Sequence, residues 1–173
     1  MRQRIAYVLA TLALAAVVHL LLAVFFPSLV LRVAHRKIVA RAGGVNIVTH
    51  NPPTTAANNP IVNSSPDLLY SACAFDLADG PVRVRAKVPA SYWSVSGYDG
   101  ETNNFFTVNS IEERSGSLDL VVVGPGGKSP AVAARAVRSP SRRGVLLFRT
   151  FVPSADRLKE MIRVQKQATC TAF

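Results

Sequence analysis

The run of residues 5–26 carries no charge, and no other feature constrains what this chain can fold into as strongly. Within its 22 positions only Thr11 and His19 are polar. An α-helix needs about 20 apolar residues to cross the hydrocarbon core of a bilayer. A surface helix of a soluble domain would show a polar face instead. A cleaved signal peptide would have a shorter apolar core, roughly 7–15 residues, followed by small residues at a cut site. Here Ala13-Leu14-Ala15 lies inside the run, and the bulky Phe25-Phe26-Pro27 closes it. The run therefore predicts one retained transmembrane helix, with residues 5–26 meeting the lipid bilayer.

The flanking charges and the cysteines give opposite indications of orientation. Arg2 and Arg4 stand before the run; Arg32, Arg36, Lys37 and Arg41 stand after it. By the positive-inside rule that count mildly favours a cytoplasmic C-terminal domain. Cys73 and Cys170 are the only cysteines, 97 positions apart, with no CxxC pattern. A pair of this kind suits a disulfide that ties the end of the chain to its core, the alternative being two buried thiols. Disulfides persist in the periplasm and are rare in the cytosol. The balance predicts a single-pass inner-membrane protein with its C-terminal domain in the periplasm.

A net charge of +10 invites a nucleic-acid reading, but its distribution opposes one. Residues 1–41 hold six of the 20 Lys and Arg and no acid, leaving 14 bases to face all ten acids. The excess lies where anionic headgroups would meet it, each base there being worth about 1 kcal/mol. After a kink expected at Pro27, residues 29–42 read as a basic, partly amphipathic helix, completing an anchor over residues 1–42. Residues 43–65 are rich in Asn, Pro, Thr and Ser and read as an extended linker. Asn63-Ser64-Ser65 matches a glycosylation sequon, a pattern too short to weigh.

Residues 66–173 form one domain by length. Val82, Val84, Ala86 and Val88 alternate with Arg83, Arg85 and Lys87, a half-buried strand. Trp93, Val95 and Gly97 alternate with Tyr92, Ser94, Ser96 and Tyr98. Strands over 105–109 and 118–123 follow, and 145–152, apolar on both faces, reads as a central strand. Turns are marked by Asp79-Gly80-Pro81, Asp99-Gly100 and Gly124-Pro125-Gly126-Gly127. Ser154 is placed to cap a closing helix carrying Leu158, Met161 and Ile162 on one face. The fold class is mainly β: an antiparallel sandwich or barrel with a C-terminal helix, preceded by the transmembrane helix.

Little here points to catalysis. The segment Gly124 to Ser129 looks like a phosphate loop, but Val122 occupies the position where the first glycine is required. His19 is in the anchor and His35 in the basic helix, while His50 in the linker is poorly placed for a metal or a nucleophile's base. No cofactor is expected. Tyr98, Asp99, Asn103 and Asn104 crowd polar groups into one loop, which serves either a ligand or the turn's own backbone. Arg149 shares a strand face with apolar Leu147 and Phe151, so it needs a carboxylate, Asp76 or Asp99.

Several ordered motifs resemble the bacterial "domain of unknown function 1254" family. They are Pro66-Asp67-Leu68-Leu69-Tyr70-Ser71, then Asp76-Leu77-Ala78-Asp79-Gly80-Pro81-Val82, then Tyr92-Trp93-Ser94 with Asp99 and Thr102-Asn103-Asn104-Phe105. Val123 to Gly126 and Arg149-Thr150 complete the series. The resemblance implies an exported β-sandwich with no established reaction. Many members carry an Asn-x-Asp-Thr stretch where this chain has Ser65-Pro66-Asp67-Leu68. Larger members append a second β-domain, so an envelope protein supplying that domain is an expected partner. The functional reading is a membrane-anchored envelope protein whose β-domain binds a partner or small ligand and not nucleic acid. The alternative is a tethered hydrolase working from the loop Asp99 to Asn104.

Overall fold

The computed structural model describes residues 1–55, 64–128 and 130–172. Helix α1 (Arg2–Ala42) opens the chain as one 41-residue element, with Pro27 inside it. The proline removes one backbone donor but does not end the helix. At 1.5 Å per residue the helix is about 60 Å long, roughly twice the hydrocarbon thickness. Residues 1–26 are exposed throughout, and the helix is long and apolar enough to cross a membrane. It stops at Gly43, whose φ of 80° is left-handed and whose N–H donates to the Val39 carbonyl. A residue with a β-carbon would be disfavoured there.

Nine strands follow among the described residues: β1 (Val48–His50), β2 (Leu68–Asp76), β3 (Val82–Lys87), β4 (Trp93–Tyr98), β5 (Asn104–Asn109), β6 (Ser117–Val123), β7 (Arg135–Arg138), β8 (Arg143–Phe151) and β9 (Thr169–Ala172). They form a five-stranded sheet, ordered β1-β2-β8-β4-β5, and a four-stranded sheet, ordered β7-β6-β3-β9. The sheets stay open at their edges, so the architecture is a sandwich and not a barrel. Every pairing is antiparallel except β6 with β7, which is parallel. As its composition predicts, β8 is central, between β2 and β4. Between the sheets pack Phe75, Val82, Val84, Trp93, Val95, Leu120, Leu146 and Phe148. Within the five-stranded sheet Gly144 leaves room for the Phe75 ring, because a Cβ there would run into that ring and the Tyr98 carbonyl.

The cysteine pair joins the two sheets. Cys73 on β2 is bonded to Cys170 on β9, with Cα atoms 6.5 Å apart. The tail carrying Cys170 is an ordered strand, paired to β3 through Val84 opposite Cys170. Before it, a 3-10 turn (Ala155–Arg157) leads into α2 (Leu158–Gln165), which buries Met161 and Gln165. Ser154 makes no side-chain capping bond to the helix backbone, contrary to expectation.

Two regions differ from the sequence reading. The segment expected to be a linker contains β1, whose Val48, Thr49 and His50 pair with Cys73, Ala72 and Ser71. A three-residue strand in polar surroundings gives no periodic signal. Asn63, the sequon asparagine, lies outside the described residues. Second, the basic end of α1 packs on the domain. Leu31 is buried against Ala72 of β2 and Val145 of β8, with Ile38 and Tyr98 beside them. His35 Nε2 is 3.1 Å from the Phe75 carbonyl oxygen. The cause lies in β2 and β8, which are apolar on both faces and need cover on the side away from the main core.

Candidate functional site

The loop between β4 and β5 is built around one carboxylate. Asp99, 6% exposed, accepts at Oδ1 from the Glu101 and Asn103 amides, each at 2.9 Å, and at Oδ2 from Asn103 Nδ2 at 3.1 Å. Its own N–H donates to the Asn103 carbonyl, and Thr102 takes a φ of 70° to close the turn. Asn104 Nδ2 donates to the carbonyls of Gly97 and Phe106 beside the irregularity between Gly97 and Tyr98. A Cβ at Gly97 would meet the rings of Phe105 and Phe106, so glycine is what lets the strands bend here. Asp99, Asn103 and Asn104 thus spend these hydrogen bonds within the loop and on its flanking strands.

Asp76 stands at the end of β2, its side chain 10% exposed. Arg143 Nε donates to its Oδ2 at 2.6 Å, Arg142 Nε lies 3.2 Å from Oδ1, and the Ala78 amide donates to Oδ1. Burial pushes its pKa up, but the hydrogen bonds from Arg143 and Ala78 and the two guanidinium charges outweigh that, and the net shift is downward. The Asn46 side chain exchanges two hydrogen bonds with the Asp76 backbone, extending the β1 edge like a strand residue.

Arg149 does not find the carboxylate expected for it. Asp76 is taken by Arg142 and Arg143, and Asp99 by its own loop. The Arg149 side chain instead runs along the outer face of the five-stranded sheet, and its Nη2 donates to the Tyr98 hydroxyl at 3.2 Å. Of the six predicted polar residues, Asp99, Asn103 and Asn104 form one cluster, Tyr98 and Arg149 a second, and Asp76 stands with other arginines.

One pair escaped the sequence reading. His50 Nδ1 lies 2.9 Å from Ser71 Oγ, because β1 brings the supposed linker histidine opposite that serine. Burial, then the charge of Lys166, lowers the His50 pKa below its ordinary 6.5. These are the partners of a nucleophile–base dyad, but Ser71 is 1% exposed. The internal space it lines, with Thr150 and Gln165, is only ≈ 20 Å³, about enough for a water molecule. The only signal in the sequence was a lone histidine.

Elsewhere several charges pair on the surface. Arg83 grips Asp119 through two hydrogen bonds of 2.9 and 2.7 Å, and Arg85 stands 3.5 Å from the same carboxylate, on the four-stranded sheet. The glycine segment after β6 is a turn: the Gly127 amide donates to Gly124, and Arg138 Nη1 donates to both their carbonyls. Among the described residues no group of three or more His, Cys, Asp or Glu could hold a metal ion.

Comparison with known proteins agrees with this picture. Two solved structures share the fold. The VPA0106 protein from Vibrio parahaemolyticus is 18% identical, with a TM-score of 0.58 over 81% of this chain and 34% of that one. An uncharacterised protein from Burkholderia cenocepacia is 19% identical, with a TM-score of 0.50 over 72% and 35%. The matched part of this chain therefore spans about a third of the length of either. No curated protein matches it. The model of a family described as "Protein of unknown function (DUF1254)" matches residues 45–172, from just before β1 to the end of β9, and the chain belongs to that family.

Proposed function

We propose that this is a single-pass inner-membrane envelope protein whose β-domain lies in the periplasm and binds a partner or small ligand without catalysing a reaction. The observation that carries the reading is the continuity of α1. One helix exposes its apolar residues through position 26 and then buries Leu31 against β2 and β8, so the anchor and the domain meet without a flexible joint. The disulfide between Cys73 and Cys170 favours an oxidising compartment over the cytosol. Binding is favoured over hydrolysis because the carboxylate and amides of the Asp99 loop are consumed by their own backbone. An envelope protein supplying a second β-domain is the expected partner, since the two solved structures of this fold are each roughly twice as long or more. Nucleic acid is not: Arg83 and Arg85 share Asp119 on one sheet, whereas Arg142 and Arg143 share Asp76 on the other.

Fusions of alkaline phosphatase and of a fluorescent protein to the C-terminus test the topology. Active phosphatase with a dark fluorescent fusion is the expected result. Bright fluorescence with inactive phosphatase would place the domain in the cytoplasm and overturn the assignment.

A further inference from the structure

We propose that Arg149, Tyr98 and Ser94, on the outer face of the five-stranded sheet, form a binding site for a phosphate group. The inference deepens the reading of this domain as a binding module and does not depend on which side of the membrane it faces.

All three residues carry donors, and none of them faces an anionic acceptor among the described residues. The half-buried Arg149 guanidinium has no carboxylate within ion-pair distance among the described residues, and its recorded bond goes to a neutral phenol. That bond fills an acceptor position on the Tyr98 oxygen, so the Tyr98 O–H remains a donor. Ser94 is paired with Arg149 across β4 and β8, is 1% exposed, and its Oγ has no hydrogen-bond partner. Buried polar groups are nearly always satisfied, so an orphaned hydroxyl on the residue paired with Arg149 calls for an explanation. Every neighbour able to balance the charge is engaged elsewhere: Asp76 by two arginines, Asp99 by three donors. Ser96 and Thr107, on the same face, bond to each other.

What satisfies N–H and O–H donors together is an anionic oxygen. The guanidinium fork matches a phosphate bidentately, and two hydroxyls can serve its remaining oxygens. The position also suits a phosphate. Tyr98 packs against the cluster that includes Leu31, only five residues beyond the apolar run. Along the helix that is about 7.5 Å, so a phospholipid headgroup and a free phosphate ester can both reach the site.

The full-length chain, purified in detergent, is titrated calorimetrically with glycerol phosphate at low salt. In parallel it is placed in nanodiscs of phosphatidylcholine with phosphatidylglycerol, and retained lipid is counted by native mass spectrometry. Saturable binding of glycerol phosphate is expected to weaken about tenfold or more in Arg149→Lys, where the fork is lost, and less in Tyr98→Phe and Ser94→Ala. Arg85→Gln, on the opposite sheet, should bind as the parent does. Ser94→Ala should also raise the unfolding midpoint without ligand, since it removes an unsatisfied buried hydroxyl. If glycerol phosphate does not bind but one phosphatidylglycerol is retained by the parent and Arg85→Gln and lost in Arg149→Lys, the source is the lipid. Binding and lipid retention that are the same in the parent, Arg149→Lys and Tyr98→Phe would overturn the site, leaving the topology result untouched.

Discussion

Asp76 and Arg149 sit on the same strand pair and meet opposite fates, which shows how local geometry decides what a buried charge does. Asp76 lies at the end of β2, where Arg142 before β8 and Arg143 at its first position both reach it, so its charge is neutralised in place. Arg149 lies farther along β8, opposite Tyr70 and Ser94, where only neutral groups are in reach. His50 illustrates a third case, a base kept neutral by burial and by Lys166. Because its folded pKa is depressed, the unfolded chain takes up a proton as pH falls through about 6.5 while the folded chain does not. Stability from this residue is present above that pH and is lost below it. Thermal unfolding followed by circular dichroism should show the midpoint dropping between pH 7.5 and 5.5, and His50→Gln should flatten that drop. An unchanged slope in the variant would assign it to another group. The lowered pKa values of Asp76 and Asp119 act in the same direction but only in more acid solution, below about pH 4.

At the level of elements, legibility in the sequence tracks the strength of the pattern. The alternating β3 and the doubly apolar β8 are found where periodicity places them, since burial on one face or two leaves a direct trace in residue choice. β1, β7 and β9 have three or four residues each and leave none; their partners create them. The polar loop was legible as a cluster, but not its division into a self-satisfied turn and an Arg–Tyr pair, because chain order does not reveal which donors meet which acceptors. The docked end of α1 was equally hidden, although β2 and β8 carry the apolar outer face that requires it. That contact should be separable from the core. Leu31 touches the small outer cluster and not the main one, so Leu31→Ala should cost about 2 kcal/mol locally. Hydrogen exchange should then quicken at residues 28–42 while protection in β2, β8 and β4 holds. Equal loss of protection in those strands would show that helix and sandwich unfold as one unit.

At the scale of the whole molecule, two long-range ties hold an otherwise open sandwich together. One is the helix across the outer face of the five-stranded sheet. The other is the bond between Cys73 and Cys170, which joins β2 in one sheet to the edge strand β9 in the other. Its position matters as much as its chemistry. β9 is four residues long and pairs with β3 alone, so without the bond it is the strand most ready to fray. Both sulfurs belong to buried residues, 0% and 3% exposed, which shields them from reductant in the folded state. Closing a loop with a sequence separation of 97 limits the unfolded chain by about 4–5 kcal/mol in the chain-entropy model. Cys73→Ala and Cys170→Ala should therefore lower the denaturant midpoint by similar amounts, and the double variant should be no worse than either, because each single change already removes the whole cross-link. Additive losses would mean that the two side chains contribute as separate core residues and would falsify the cross-link as the source of stability. Non-reducing mass spectrometry of the same preparations supplies the independent check, since the parent should resist alkylation at both positions until it is reduced.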